Sequence, residues 1–437
     1  MADIRSFRQK TEDGEERPVP KYKEERPQKA SAKPRDFRRQ IRLHRFTILY
    51  RTALTLGLIA AIAAVVWQQY ESKIYVGYRV LESSPKDEIS GTTSRNLGGN
   101  ILVFSKDGAH CLDEKGGKLW DQTFEMQNPH ADVCRSTAAI GDYNGRTIYI
   151  VSASSILGEI HTNLPIKDFC VAANGIVATI LEDGNISWIY VYDVDGTELV
   201  GFKTTMVNSG YPLAIGISPS AELFAVSYLY VDRGSMKTSV SFYNFGAVGQ
   251  NYTDRYVSGY DYADSIVPEI RFASEDTAYA ISDSKLMFYG GKQIPVSQAE
   301  VFLKTEARSV FYSDGYVIPV YNDTTGEHKY QLEVYDMTGD CKLSCGFDLE
   351  YTDIVTDRKN IVIYNETECM IVNQDGVEKY SGSFNAPVAL VIPKQSGYRY
   401  VLVTSKSVET VQEYALQATA ELLRRGIKML VIACNTA

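Results

Sequence analysis

Between about Ile74 and Thr404 the apolar positions come in short runs, alternating or continuous over a few residues. Examples are "NILVFS", "TIYIVSA", "ISWIYVYD", "LFAVSYLYV", "YQLEVYDM" and "YRYVLVTS". They are rich in Val, Ile, Tyr and Phe, and all but four of the 30 tyrosines fall in this region. Side chains of that kind suit a pleated, half-buried surface, so the runs predict strands. Two segments break the pattern. Residues 46–67, "FTILYRTALTLGLIAAIAAVVW", form one apolar run whose single charge is Arg51. After Thr404 the period changes: "VETVQEYALQATAELLRRG" (408–426) sets Val411, Ala415, Ala418 and Leu422 on one helical face. "IKMLVIAC" then reads as a buried parallel strand.

Between the predicted strands a turn recurs. "CLDEKGGKLW", "VYDVDGTELV", "VYDMTGDCKL" and "IVNQDGVEKY" each end a strand on Asp or Asn and place a glycine three residues on, at Gly116, Gly196, Gly339 and Gly376. The side chain can cap the turn, and glycine supplies the positive φ of the reversal. Weaker members centre on Gly145, Gly246 and Gly291; the seven glycines average about 43 residues apart. Four short strands with their loops need that length, which is one propeller blade. The fold class expected is therefore all-β, a seven- or eight-bladed β-propeller. "IYVGYRVLE" (74–82) is expected to pair with the C-terminal segment and close the ring.

The run 46–67 is long enough, at about 1.5 Å per residue, to cross a bilayer core of about 30 Å as a helix. Arg51 lies close enough to one end to snorkel, and Trp67 and Tyr70 suit the far interface. Charge gives this segment a direction. Up to Arg51 there are 15 Lys/Arg against 8 Asp/Glu; beyond it, 30 against 46. The basic flank predicts a cytoplasmic N-terminus and an extracytoplasmic body in a single-pass cell-membrane protein. Residues 1–45 read as a disordered basic tail lying against anionic lipid. A basic head on an acidic body argues against a nucleic-acid partner.

Candidate chemistry in the body is sparse. Seven cysteines and five histidines are scattered, with Cys341 and Cys345 the only close thiol pair, so no metal site is expected. Asp193 and Asp195 belong to a turn that lacks the regular oxygen ladder of a calcium loop. Ser235, Ser239 and Ser241 sit in no nucleophile elbow, and Glu182–Asp183 and Glu350 with Asp353 read as loop acids. No cofactor is implied. Tyrosines and acids could line a propeller mouth that binds a protein, peptide or glycan, or simply fill strands.

Three resemblances add to this reading. "LDEKGGKLW" (112–120) resembles the Asp-x-x-x-Gly-x-x-Trp repeat of quinoprotein-like propellers, a fold related to WD40 rings; the resemblance implies that Trp120 packs between adjacent blades, a structural role. "VFSKDG" (103–108), "LWDQTFEMQNP" (119–129), "GYPLAIGISP" (210–219), "AVSYLYVD" (225–232), "SFYNFGAVGQN" (241–251) and "SVFYSDGY" (309–316) resemble a domain-of-unknown-function family of single-pass, membrane-anchored propellers from Gram-positive bacteria. That likeness implies architecture and location, and no reaction. Segment 405–437, ending "IKMLVIACNTA", resembles an internal fragment of glutamate racemase. It implies that Cys434 corresponds to one of two catalytic thiols, with Asn435 and Thr436 beside the substrate. The racemase needs a second thiol to work the opposite face of the α-carbon. The segment that would carry it is not found here, so Cys434 is expected to be inactive.

The expected organisation is a cytoplasmic tail (1–45), a transmembrane helix (46–67), an extracytoplasmic propeller (68–404) and an incomplete racemase-like helix-strand piece (405–437), joined as a chimera near residue 404. The expected function is a membrane-anchored binding or scaffold module without catalysis of its own. A racemase-related enzyme supplying D-glutamate for cell wall is the alternative.

Overall fold

The computed structural model describes residues 37–71, 73–84, 92–184, 186–205, 210–263, 265–357, 359–394, 398–404 and 430–435. The helix read at 408–426, Thr436 and most of the basic head lie outside them. The chain divides into two units, Met1–Ser72 and Lys73–Ala437.

In the first unit one helix runs from Phe37 to Glu71. It begins nine residues before the apolar run, so the tail read as disordered to residue 45 is helical from Phe37. Arg, Gln, Leu and Ile are adequate helix formers, and no proline interrupts "FRRQIRLHRF". Within it His44–Val66 is long and apolar enough to cross a membrane. Leu58, Ile59, Ile62, Val65 and Val66 are all exposed.

The second unit is a β-propeller. Seven blades are four-stranded antiparallel sheets of consecutive strands, spanning 93–123, 129–161, 166–205, 211–263, 269–302, 309–347 and 353–383; they are blades 1 to 7 below. The first strands adjoin one another across blades 2 to 5 and across blades 6 and 7, and so line the axis. In every one of the seven, the register between third and fourth strands slips by one residue, a bulge in the outermost strand. A bulge increases local twist, and a strongly twisted blade suits a ring.

The recurring turn sits in the third hairpin of blades 1, 3, 6 and 7. Gly116, Gly196, Gly339 and Gly376 have φ of 81°, 83°, 84° and 78°. Each donates its N–H to the carbonyl of the Asp or Asn three residues before it, at 2.9–3.0 Å. The Asp113, Asp336 and Asn373 side chains each accept two further turn N–H groups. A type I turn followed by a left-handed residue makes such a bulged hairpin, so turn and bulge are one device. Gly145 and Gly246 do not have positive φ: Gly145 donates to the Asp142 carbonyl and Gly246 to the Asn244 side chain.

An eighth sheet completes the ring. From the axis outward it runs Val388–Pro393, Arg399–Thr404, Leu430–Asn435 and Arg79–Ser84. Its first pair is antiparallel; the last two pairings are parallel. The N-terminal strand therefore pairs with the C-terminal strand 430–435, and not directly with 399–404. Parallel neighbours need a crossover of a dozen or more residues, and residues 405–429 are long enough to provide one.

The core follows the ring. Eight apolar clusters each join two adjacent sheets. Tyr78 fastens the closure: it is buried among Tyr364, Tyr380, Val391 and Tyr400, and its hydroxyl accepts the Asn385 N–H at 2.7 Å across 307 positions of sequence. Tyr75 adds a backbone bond to Lys379 (2.7 Å). Tyr78→Phe should cost about 1 kcal/mol through the lost bond, and Tyr78→Ala about 3–5 kcal/mol through the cavity as well. Thermal melts of the two variants check this; equal melting temperatures for Phe and Ala would remove Tyr78 from the closure.

Candidate functional site

An opening of about 750 Å³ lies on the propeller's flank, between blades 3 and 4. One wall is the outermost strand of blade 3, Glu198–Thr205, contributing the unbroken run Val200 to Thr204. A strand that lines a cleft with consecutive residues presents its edge, and this strand is the free edge of its sheet. The floor belongs to blade 4 and follows the two-residue period of one sheet face: Tyr228 and Tyr230, then Ser239, Ser241 and Tyr243, then Asp261. The opposite face of the same strands, with Ala225, Val240 and Phe242, is buried against blade 5.

Strand length opens the cleft. Leu223–Asp232 and Ser235–Asn244 have 10 residues each, against 8 in the blade 3 wall. The tips of blade 4 thus outrun their neighbour. Tyr228 is buried and its hydroxyl lies 3.3 Å from that of half-buried Tyr243. The Phe202 and Tyr243 rings stand 5.8 Å apart. Burial pushes the Tyr228 and Tyr243 phenols upward, and burial with the Asp261 charge does the same for Tyr230. All three stay neutral hydroxyls at physiological pH.

Four charges border the opening. The Lys203 ammonium lies over the Trp188 ring at 6.0 Å. Arg255 donates to the Phe245 carbonyl at 3.1 Å and covers the Phe245 ring at 5.4 Å. Asp254 and Asp261 have no ion-pair partner among the described residues. Asp254 and Arg255 are successive non-glycine residues at φ 53° and 58°. Such backbone is costly and tends to persist where the surroundings fix it.

A second polar cluster crosses the axis. Arg271 of blade 5 reaches Asp132 of blade 2 at 3.1 Å and Glu269 at 2.7 Å. Arg135 of blade 2 meets Glu275 at 3.1 Å, and Glu275 accepts the Ser220 N–H of blade 4. Asp132 also accepts the Val171 N–H at 2.8 Å. Asp168, half-buried on the first strand of blade 3, accepts its neighbour Phe169 N–H at 2.9 Å. Desolvation raises its carboxyl to about 6 despite that bond; nearby Asp132 adds to the rise, and Arg271 and the Ile215 N–H oppose it.

The residues singled out in the sequence lie elsewhere. Trp120 of blade 1 donates its indole N–H to the Ser152 carbonyl of blade 2 at 2.9 Å and packs in the cluster between those blades. Asp193 and Asp195 bind turn N–H groups. Glu182 pairs with Lys167 at 2.8 Å, Glu350 accepts the Tyr330 hydroxyl at 2.6 Å, and Asp353 accepts that of Tyr364. Cys341 and Cys345 are free thiols on one strand, four residues and so about 13 Å apart, beyond disulfide reach. Burial raises the Cys134 and Cys345 thiols to about 11 and Cys369 to about 12, which keeps them protonated. Cys434 and Asn435 lie on the backbone of the eighth sheet, opposite Ser84 and Val403 for the cysteine. None of these residues lines the cleft except Ser239 and Ser241.

A family of unknown function, DUF5711, matches residues 71–412. The chain belongs to that family. The match spans the propeller from its closing N-terminal segment past Thr404. No curated protein matches the chain. Among solved structures, Hsv2p of Kluyveromyces lactis is similar at 10% identity and TM-score 0.44, over 68% of this chain and 98% of that one. Apo AztD of Citrobacter koseri is similar at 9% and 0.44, over 68% and 86%. Sqt1 of Chaetomium thermophilum is similar at 12% and 0.45, over 76% and 96%.

The folded Asp168 carboxyl holds its proton up to about pH 6, whereas its ordinary value is 3.8. It therefore favours the folded state fully below the ordinary value, and that contribution is lost as pH rises through 6. Asp168→Asn should raise the melting temperature at about pH 7.5, with the gain shrinking toward about pH 4. A gain of equal size at both pH values would contradict the raised value.

Proposed function

We propose that this DUF5711 chain is a single-pass membrane protein of a Gram-positive cell whose propeller is an extracytoplasmic binding module. Its ligand site is the cleft between blades 3 and 4. The observation that carries this reading is the cleft's make-up. It is open, of ligand size, walled by a free strand edge, and floored by tyrosines with polar and acidic groups between them. A protein or peptide segment fits such a surface. The anchor is the exposed apolar helix; the basic flank at Arg38–Arg45 sets its direction and holds the head to anionic lipid. The propeller is then a rigid display of one adhesive flank, and the strand 430–435 serves as ring material rather than as part of an active site.

Limited proteolysis of intact cells should cut the region after Trp67 and spare residues 1–45. The reverse pattern would invert the topology. On a peptide array, the full chain in detergent should lose most of its bound spots on Tyr230→Ala, while Val377→Ala, exposed on blade 7, keeps them. Retention by Tyr230→Ala would remove the cleft as the site.

A further inference from the structure

Viewed from the axis, the cleft is the open end of a wedge. Its closed end lies where the first hairpins of blades 2 to 5 meet, each joining the first and second strands of its blade. These hairpins are linked in a closed circuit. Thr137 of blade 2 donates its hydroxyl to the Ala173 carbonyl of blade 3 at 2.9 Å. The Ala173 N–H donates to the Pro219 carbonyl of blade 4 at 2.9 Å, and the Asn174 amide to the Ser220 carbonyl at 3.2 Å. The Ser220 N–H donates to Glu275 of blade 5 at 2.9 Å. Glu275 returns the circuit to blade 2 through Arg135, at 3.1 Å.

A second link runs along the same axis. Asp132 of blade 2 accepts the Val171 N–H of blade 3 with one oxygen, at 2.8 Å, and the Arg271 guanidinium of blade 5 with the other, at 3.1 Å. The Asp132 side chain is only 14% exposed, so this pair is screened less than a surface one. Both links cross from blade 2 to blade 5. Each of their carboxylates also holds a backbone N–H of a blade lying between, Val171 in blade 3 and Ser220 in blade 4. Those two blades are the ones that flank the cleft. Three strand spacings of about 4.8 Å, about 14 Å in all, separate the first strand of blade 3 from the cleft wall, so a tilt of about 10° at the axis moves that wall by about 2.5 Å.

We propose that Asp132, Arg135, Arg271 and Glu275 are positioning residues for ligand binding. The circuit they close across the axis fixes the angle between blades 3 and 4, and with it the width of the cleft. This rests on the cleft being the ligand site. A partner segment then meets a preset gap, and binding is spared the cost of ordering it.

Width and binding are measured separately, on the full chain in detergent. Spin labels on Leu199→Cys and Met236→Cys, exposed residues of blades 3 and 4 outside the lining, report the gap by pulsed electron spin resonance. A second pair, on Leu119→Cys and Val377→Cys of blades 1 and 7, reports the rest of the ring. Both chains also carry Cys341→Ser and Cys434→Ser. The double variant Arg271→Met, Glu275→Ala should change the Leu199–Met236 distance by about 2 Å or more, leave the second pair unchanged and lose most bound spots on the peptide array. Glu275→Gln keeps an acceptor for Ser220 and Arg135, and should retain both gap and spots. Glu275→Ala alone should shift the gap in the same direction, and it decides the matter if the double variant does not fold. An unchanged gap would overturn the proposal. Equal shifts in the two label pairs would also overturn it, because they mean general loosening. So would a shifted gap with the spots retained while Tyr230→Ala loses them. If the gap shifts as expected and Tyr230→Ala keeps its spots, the cleft falls as the ligand site while control of its width from the axis stands.

Discussion

A sheet with two apolar faces cannot stop. Each blade here buries one face on the blade before it and the other on the blade after it, so any break in the ring would leave two faces in water. Closure is the constraint on which every other feature depends. Eight apolar clusters for eight sheets mean that no junction goes unfilled. The last junctions are also the ones built from the most distant parts of the sequence. Leu390 and Ile392 meet Ile101 and Val103, while Tyr78 reaches Asn385. Local hairpins form the seven regular blades, but these contacts, with the Tyr75 bond and the pairing of 79–84 with 430–435, bring the two ends together, and their loop-closure cost is the largest in the fold.

The same constraint explains which parts were legible in the sequence. Turn chemistry is local, so "DEKG", "DVDG", "DMTG" and "NQDG" announced left-handed glycines and hence blade length. Alternating Val, Ile and Tyr announced the strands. The helix was legible in its middle, where apolar residues dominate, but not at its start, because Phe37 to Arg45 lack the apolar period that marks a packed helix. The pairing of 79–84 was legible as a need, since an unpaired N-terminal strand leaves an edge open. Its partner was not, because a parallel register with 430–435 depends on the path of the intervening chain.

The cleft was not legible for a related reason. Tyrosines that fill strands and tyrosines that line a cavity obey the same period. Tyr279, Tyr289, Tyr330 and Tyr364 are fully buried, whereas Tyr230 and Tyr243 border the opening. What separates them is the length of their strands relative to the neighbouring blade, a comparison between segments that no local pattern encodes. One trace was present: "LFAVSYLYVD" runs on for ten residues where most blades need five to seven, and the excess is what overhangs blade 3. The across-axis pair of Asp132 and Arg271 was hidden likewise, since it joins blades 2 and 5.

Closure and recognition therefore draw on one property of the strand. Wherever a blade edge meets another strand, it is consumed by the ring; wherever a blade projects beyond its neighbour, edge and face stay available together. The outer strand of the eighth sheet is supplied by the N-terminal segment and so is spent on closure. The outer strand of blade 3 has no such duty. It stands beside an overhanging aromatic face with its pairing capacity unspent.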